Sequence, residues 1–223
     1  MSESIFVYLA LALSGGCMDA YSYLFRDKVF ANAQTGNMLL FGVNIVEHNC
    51  AAALKYLWPV LAFSFGIVLS DVIRNSTKNT HVHWRQAALV VETIILFFVS
   101  GLSQDQNSIA NALISLACGI QVETFRSLKG ISIATTMCIG NLRSGIYNFD
   151  VYLLTKNKDS LTKAAIYLGT IVAFVIGAII ESILLKYLAE KALYFSVGML
   201  IVAFALMIRF PVEQLPEAAS VGD

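Results

Sequence analysis

Runs of about 20 mostly apolar residues, broken by charged or turn-like stretches, recur along the whole chain, and each is long enough for a helix to cross a hydrocarbon layer of roughly 30 Å. Of the 223 residues, 57% are apolar and 13% charged, and the mean hydropathy is +0.71, more apolar surface than a water-soluble fold of this size can hide. The sequence therefore predicts an all-α fold, a polytopic transmembrane helix bundle in contact with the lipid bilayer. Fifteen Lys and Arg cancel fifteen Asp and Glu, which leaves no basic excess to bind nucleic acid.

Eight candidate spans emerge, at about 5–25, 29–46, 54–73, 87–102, 109–125, 131–154, 164–185 and 193–208. The second and sixth are the weakest. Asn32, Gln34, Thr35 and Asn37 interrupt one, and Thr135, Thr136, Asn141, Arg143 and Asn148 the other; rejecting both leaves six spans. With eight spans, the odd-numbered loops hold nine cations and the even-numbered side five, so the positive-inside rule puts both termini outside. The flank Ser2-Glu3-Ser4 lacks the cations of a secretory signal, so the first span is expected to be a retained helix. Residues 1–210 read as one membrane domain and 211–223 as a short polar tail.

The four cysteines show no metal or redox spacing, and three of them fall in spans as small core residues. His81 and His83 alternate in one loop but make only half a metal site. Neither a metal nor a cofactor is expected.

Shifting the chain by 104 residues places Gly15 on Gly119, Asp19 on Glu123, Gly36 on Gly140 and Asn37 on Asn141. Further along, Ala62-Phe63 and Gly66 resemble Ala173-Phe174 and Gly177, each followed by an acid, Asp71 and Glu181. The chain thus reads as two related halves, 5–103 and 107–209. Four spans per half would make the repeats parallel, and three would make them inverted.

The matches fall on residues that a membrane helix rarely carries without cause. Asp19 lies within the first span, where a charge costs about 2.5 to 3.5 kcal/mol. It must be protonated, paired or facing water, and either lines a path or locks helix packing. Glu123 stands three residues before Arg126, which allows either an interfacial ion pair or a functional role. The guanidinium of Arg143 cannot be neutralised, so it is expected to pair with Asp19 or Glu123 inside the bundle. Thr35-Gly36-Asn37 and Ile139-Gly140-Asn141 each join a small residue to an amide. Such an element serves either a broken helix that meets a ligand or close packing with amide contacts between helices. Glu92 is either a snorkelling end residue or a second titrating group, and Asp71 and Glu181 are expected at the interface.

The stretch from Gly15 through Tyr21, with Asp19-Ala20 inside it, followed by Val29 to Asn32 and Thr35-Gly36-Asn37, resembles the YoaK-type family of bacterial integral membrane proteins. A second-half segment from Gly119 to Asn141 matches as well, although Ile139 stands where the family has threonine. The resemblance implies a multi-pass protein of the bacterial inner membrane with six or more spans, for which a transport role is presumed.

The leading reading is a small-molecule secondary transporter or permease. In it Asp19, with Thr35, Gly36, Asn37, Glu123, Gly140, Asn141 and Arg143, forms the path for substrate or proton. The rival is a membrane scaffold whose polar residues only lock helices together. Enzyme chemistry is not expected, since zinc-protease, nucleophile-elbow and phosphate-loop motifs are missing from the sequence. The partners expected are lipid, an unidentified small molecule or ion, and a second copy of the chain.

Overall fold

A computed structural model of the chain describes residues 4–77, 83–128 and 130–209. The polar tail at 211–223 and His81 lie outside the described residues. The chain is all-α apart from one small hairpin. In order come α1 (Ile5–Phe25), α2 (Gln34–Val46), α3 (Cys50–Ser76), α4 (Trp84–Val99), α5 (Asn107–Thr124), α6 (Cys138–Thr155), α7 (Lys158–Leu188) and α8 (Tyr194–Arg209). Between α5 and α6, β1 (Ser127–Leu128) pairs antiparallel with β2 (Ile131–Ser132). Among the described residues, three stretches are long and apolar enough to cross a membrane by length and composition: Ile5–Phe25, Cys50–Ser76 and Lys158–Arg209.

The two weakest spans of the sequence reading are not helices from end to end. α2 starts only at Gln34 and α6 only at Cys138, and non-helical chain with a bend precedes each. At 1.5 Å per residue, the 13 residues of α2 reach about 20 Å, too short for a full crossing.

Contacts between chain ends give the helices their directions. The C-terminal end of α1 meets the C-terminal end of α4 and the start of α5 through Arg26, and Tyr21 there donates to the Glu190 carbonyl just after α7. At the opposite end, Tyr8 of α1 donates to the Ser127 carbonyl, and Tyr167 near the start of α7 donates to that of Ser132. So α1 and α7 run side by side in one direction. α3 and α5 also run together, since Gly66 meets Gly119 and Ser70 bonds Thr124 farther along both helices. This second pair points the opposite way.

Glycine sets both crossings. A Cβ on Gly16 would lie 1.9 Å from the Phe174 carbonyl oxygen, and one on Gly177 2.1 Å from that of Leu13. In the other pair the distances are 2.3 Å from Gly66 to the Leu116 oxygen and 2.2 Å from Gly119 to that of Phe63. Backbones this close allow no side chain, which is how membrane helices gain dispersion contact where burial from water drives nothing. Gly16 thus makes in α1 the kind of crossing that Gly119 makes in α5, and it lies one residue from the Gly15 chosen by sequence matching. The interior between these pairs is filled by Leu11, Met18, Leu89, Leu96, Ile114 and Leu200, while Phe65, Val72, Ile139 and Ile201 stay exposed on the outer surface.

Arg26 closes one end of the bundle. It is fully buried, with its guanidinium 5.3 Å from the ring centroids of Tyr21 and Phe25. It donates to the carbonyls of Leu102 and Ser103 at 2.7 Å each, to Asn107 Oδ1 at 3.1 Å and to the Tyr21 hydroxyl at 2.8 Å. The carbonyls left over past the end of α4 carry partial negative charge, so a cation satisfies them where no carboxylate is present.

Two consequences can be measured by thermal unfolding in detergent. Gly66→Ala and Gly177→Ala should each destabilise by about 1–3 kcal/mol through overpacking, whereas Gly42→Ala and Gly169→Ala, with open space around them, should be near neutral. Equal effects at all four would refute the crossing geometry. Arg26→Met should cost on the order of 3 kcal/mol, because the Leu102 and Ser103 carbonyls and the Tyr21 hydroxyl lose a charged donor, and Arg26→Lys should recover only part, since an ammonium cannot fork across the same acceptors.

Candidate functional site

The two non-helical segments that precede α2 and α6 are built alike. Asn37 Oδ1 accepts the Phe30 N–H at 3.2 Å while its Nδ2 donates to the Phe30 carbonyl at 2.7 Å. Asn141 does the same seven residues back, taking the Ala134 N–H at 3.2 Å and giving to the Ala134 carbonyl at 2.6 Å. Each asparagine thereby satisfies both backbone groups of one residue that lies outside any helix. Buried non-helical backbone needs such partners, so the amides noted in the sequence serve as peptide clamps.

Both segments fold back toward the middle of α1. Asn32 Nδ2 donates to the Gly15 carbonyl at 2.8 Å. On the same turn a Cβ on Gly15 would meet the Thr135 carbonyl oxygen at 2.9 Å and Thr136 Cα at 3.3 Å. Gly15 is thus where the two segments converge, and it has to be small. Gln121 of α5 joins them, donating to the Leu11 carbonyl at 3.1 Å and to Thr135 Oγ1 at 2.7 Å.

Asp19 sits one turn farther along α1. Its Oδ1 accepts the Asn32 N–H at 2.8 Å, and the N–H groups of Ala31 and Ala33 lie close by. The carboxylate therefore holds the folded-back segment, and among the described residues it forms no ion pair.

The remaining candidates divide. Asn37 and Asn141 are buried at the clamps, and Gly36 packs under the Phe30 ring, where a Cβ would lie 3.0 Å from it. Thr35 is exposed, and Gly140 is exposed with nothing within 4 Å of an added Cβ, so neither touches the convergence point. Glu123 pairs with Arg126 at 3.0 Å, the i,i+3 contact that their spacing allows. Arg143 corrects the sequence reading. It is exposed on α6 and bonds neither Asp19 nor Glu123, because that face of α6 turns outward while Asn141 and Gly145 turn in.

Of the three remaining acids, only Glu181 departs from expectation. Glu92 is fully buried on α4 with neither carboxyl oxygen bonded, so it does not snorkel. Glu181 is fully buried within α7, where an interfacial position was expected. Asp71 is exposed; the residue four after Gly66, as Glu181 is four after Gly177, is the buried Ser70. In the loop before α4, His83 accepts the Arg85 N–H at 3.2 Å, and partial burial together with the Arg85 charge holds its imidazole below the usual value. Among the described residues no group of three His, Cys, Asp or Glu is gathered for a metal.

Sequence reasoning noted Asn32, Thr135 and Thr136 as interruptions, and Asn32 within the family resemblance, without making them site residues; it counted Arg26 only as a loop cation and passed over Gln121. Asn32 and Thr136 each stand five residues before a clamp asparagine, a spacing that the shift of 104 already contained.

Comparison with known proteins places this architecture. The family described as "Protein of unknown function (DUF1275)" matches residues 7–206. UPF0700 transmembrane protein YoaK of Bacillus subtilis (strain 168) is 28% identical over 182 residues, spanning 78% of this chain and 80% of that protein. No solved structure matches. With a match running from the first helix into the last and a transmembrane relative beside it, the chain belongs to the DUF1275 family, an uncharacterised family of membrane proteins.

Proposed function

We propose that the chain is a small secondary transporter of the bacterial inner membrane, and that its path runs through the meeting point of the two folded-back segments at Gly15. The single observation that carries this reading is that both segments bring non-helical, polar backbone to one place deep between α1 and α5. Broken helices at the interface of two repeats are a recurrent way of building a transport site, and irregular backbone survives in a membrane only inside protein or along a cavity.

In this reading six helices cross the bilayer, and α2 and α6 are half-helices of re-entrant segments. The halves 5–103 and 107–209 are inverted repeats, supported by the opposite directions of the α1–α7 and α3–α5 pairs, their matching glycine crossings and the matching clamps. The cations then redistribute. Arg74, Arg85, Arg126, Lys156 and Lys158 gather with both termini at the end where Tyr8 meets Ser127. The positive-inside rule puts that end, and both termini, in the cytoplasm, the reverse of the eight-span orientation. Asp19 supplies the charge of the path, and no enzymatic step is assigned to it.

A scaffold with the same fold would keep the convergence point sealed. The measurement is made on Thr136→Cys in a chain freed of its four native cysteines, in right-side-out and inside-out vesicles treated with a small, impermeant thiosulfonate. Modification from each side is expected of a transporter; a thiol silent from both sides, or reached from one alone, would overturn alternating access. Orientation is read separately, a C-terminal green fluorescent fusion being expected to fluoresce and a C-terminal alkaline phosphatase fusion to be inactive.

A further inference from the structure

The convergence point at Gly15 holds three buried oxygen atoms that no described residue satisfies. Asn32 Oδ1, Gln121 Oε1 and Thr136 Oγ1 have no hydrogen-bond partner among the described residues, and their residues are 1%, 0% and 2% exposed. They come from three separate elements, namely the segment before α2, helix α5 and the segment before α6. All three residues stand against the single turn of α1 from Leu11 to Gly15.

Asn32 and Thr136 hold the same place in their segments, five residues before the clamps Asn37 and Asn141. In each segment the neighbouring polar groups are used up, and at this one position an oxygen is left open. An unsatisfied buried polar group costs about 1–3 kcal/mol, so the recurrence at equivalent positions points to an occupant.

The chemistry of the open atoms selects its class. Two are amide carbonyl oxygens, which only accept, and the third is a hydroxyl that can turn its lone pairs inward. The site is poor in donors for an anion, because the amide N–H groups of Asn32 and Gln121 are already given to the carbonyls of Gly15 and Leu11, which leaves two acceptor-only oxygens and one hydroxyl. One turn away Asp19 contributes a carboxylate without a cationic partner among the described residues. One negative charge and a set of neutral oxygens suit a single positive charge. Divalent calcium instead takes six to eight oxygens, commonly from several carboxylates. We propose that an alkali-metal cation binds between Asn32 Oδ1, Gln121 Oε1 and Thr136 Oγ1, with Asp19 balancing its charge. This deepens the transporter reading by naming the class of its coupling ion, and it replaces a proton on Asp19 with a metal cation beside it.

The test is the thermal unfolding midpoint of the full chain in detergent, titrated with sodium chloride and with potassium chloride against N-methyl-D-glucamine chloride at equal ionic strength. A saturable rise with sodium or potassium is expected, because a ligand of the folded state stabilises it by mass action. Thr136→Val keeps the shape and removes an oxygen that bonds nothing in the protein, so it should fold, yet weaken the cation by about tenfold or more. Thr136→Ser should restore binding. The same midpoint in all three salts, or an undiminished response in Thr136→Val, would overturn the site. Cation binding without two-sided access at position 136 would leave the site standing and remove the transporter, and two-sided access without a cation response would do the reverse.

Discussion

A peptide group inside a bilayer has no water to turn to, and the whole arrangement follows from how two stretches of non-helical chain meet that demand. Asn37 and Asn141 each give one peptide both of its hydrogen bonds, and Asp19 takes the Asn32 N–H. Without these side chains the segments would have to become helical or leave the interior. With them, non-helical chain reaches Gly15, and α2 and α6 begin beyond it. The crossing glycines serve the same end, since helices packed backbone to backbone leave room between the two pairs for the segments to enter.

Much of this was legible in the sequence, within limits that have physical causes. Apolar runs fixed the fold class because a helix must match the thickness of the bilayer. The interrupted second and sixth runs marked the irregular segments for the same reason. Asn37 and Asn141 stood out because an amide is costly in lipid unless it bonds something. Their partners were hidden, because Phe30 and Ala134 contribute only backbone, which every residue has.

Arg26 and Arg143 show the opposite failure. Sequence reading looks for carboxylates to pair with a buried cation, and it placed Arg143 inside and Arg26 in a loop. Arg26 instead spends its charge on carbonyls at the end of α4. Those acceptors arise from where a helix stops, which residue types do not announce. The glycines show a smaller miss of the same kind. The shift of 104 aligns the two clamps but pairs Gly119 with Gly15, whereas the residue of α1 that makes a backbone-to-backbone crossing is Gly16; Gly66 and Gly177, matched separately in the sequence, both make theirs. Which of two adjacent glycines faces a neighbouring helix depends on the crossing itself, which the sequence does not display.

The two pairs of helices are alike in packing but unlike in chemistry. Four residues beyond the crossing glycine, α3 carries Ser70, whose hydroxyl is bonded to that of Thr124 at 2.9 Å. At the same step α7 carries Glu181, buried within electrostatic range of the Cys17 thiol. A hydroxyl pair bonded across the contact is neutral and costs little to keep buried. A buried carboxyl with unmet lone pairs is the weaker seal, because any opening that admits water is favoured by hydrating it. Ser70 lies toward the end where Tyr8 meets Ser127, and Glu181 toward the end closed by Arg26. The two ends of the molecule therefore carry unequal chemistry on similar packing, and the end with the acid is the easier one to hydrate.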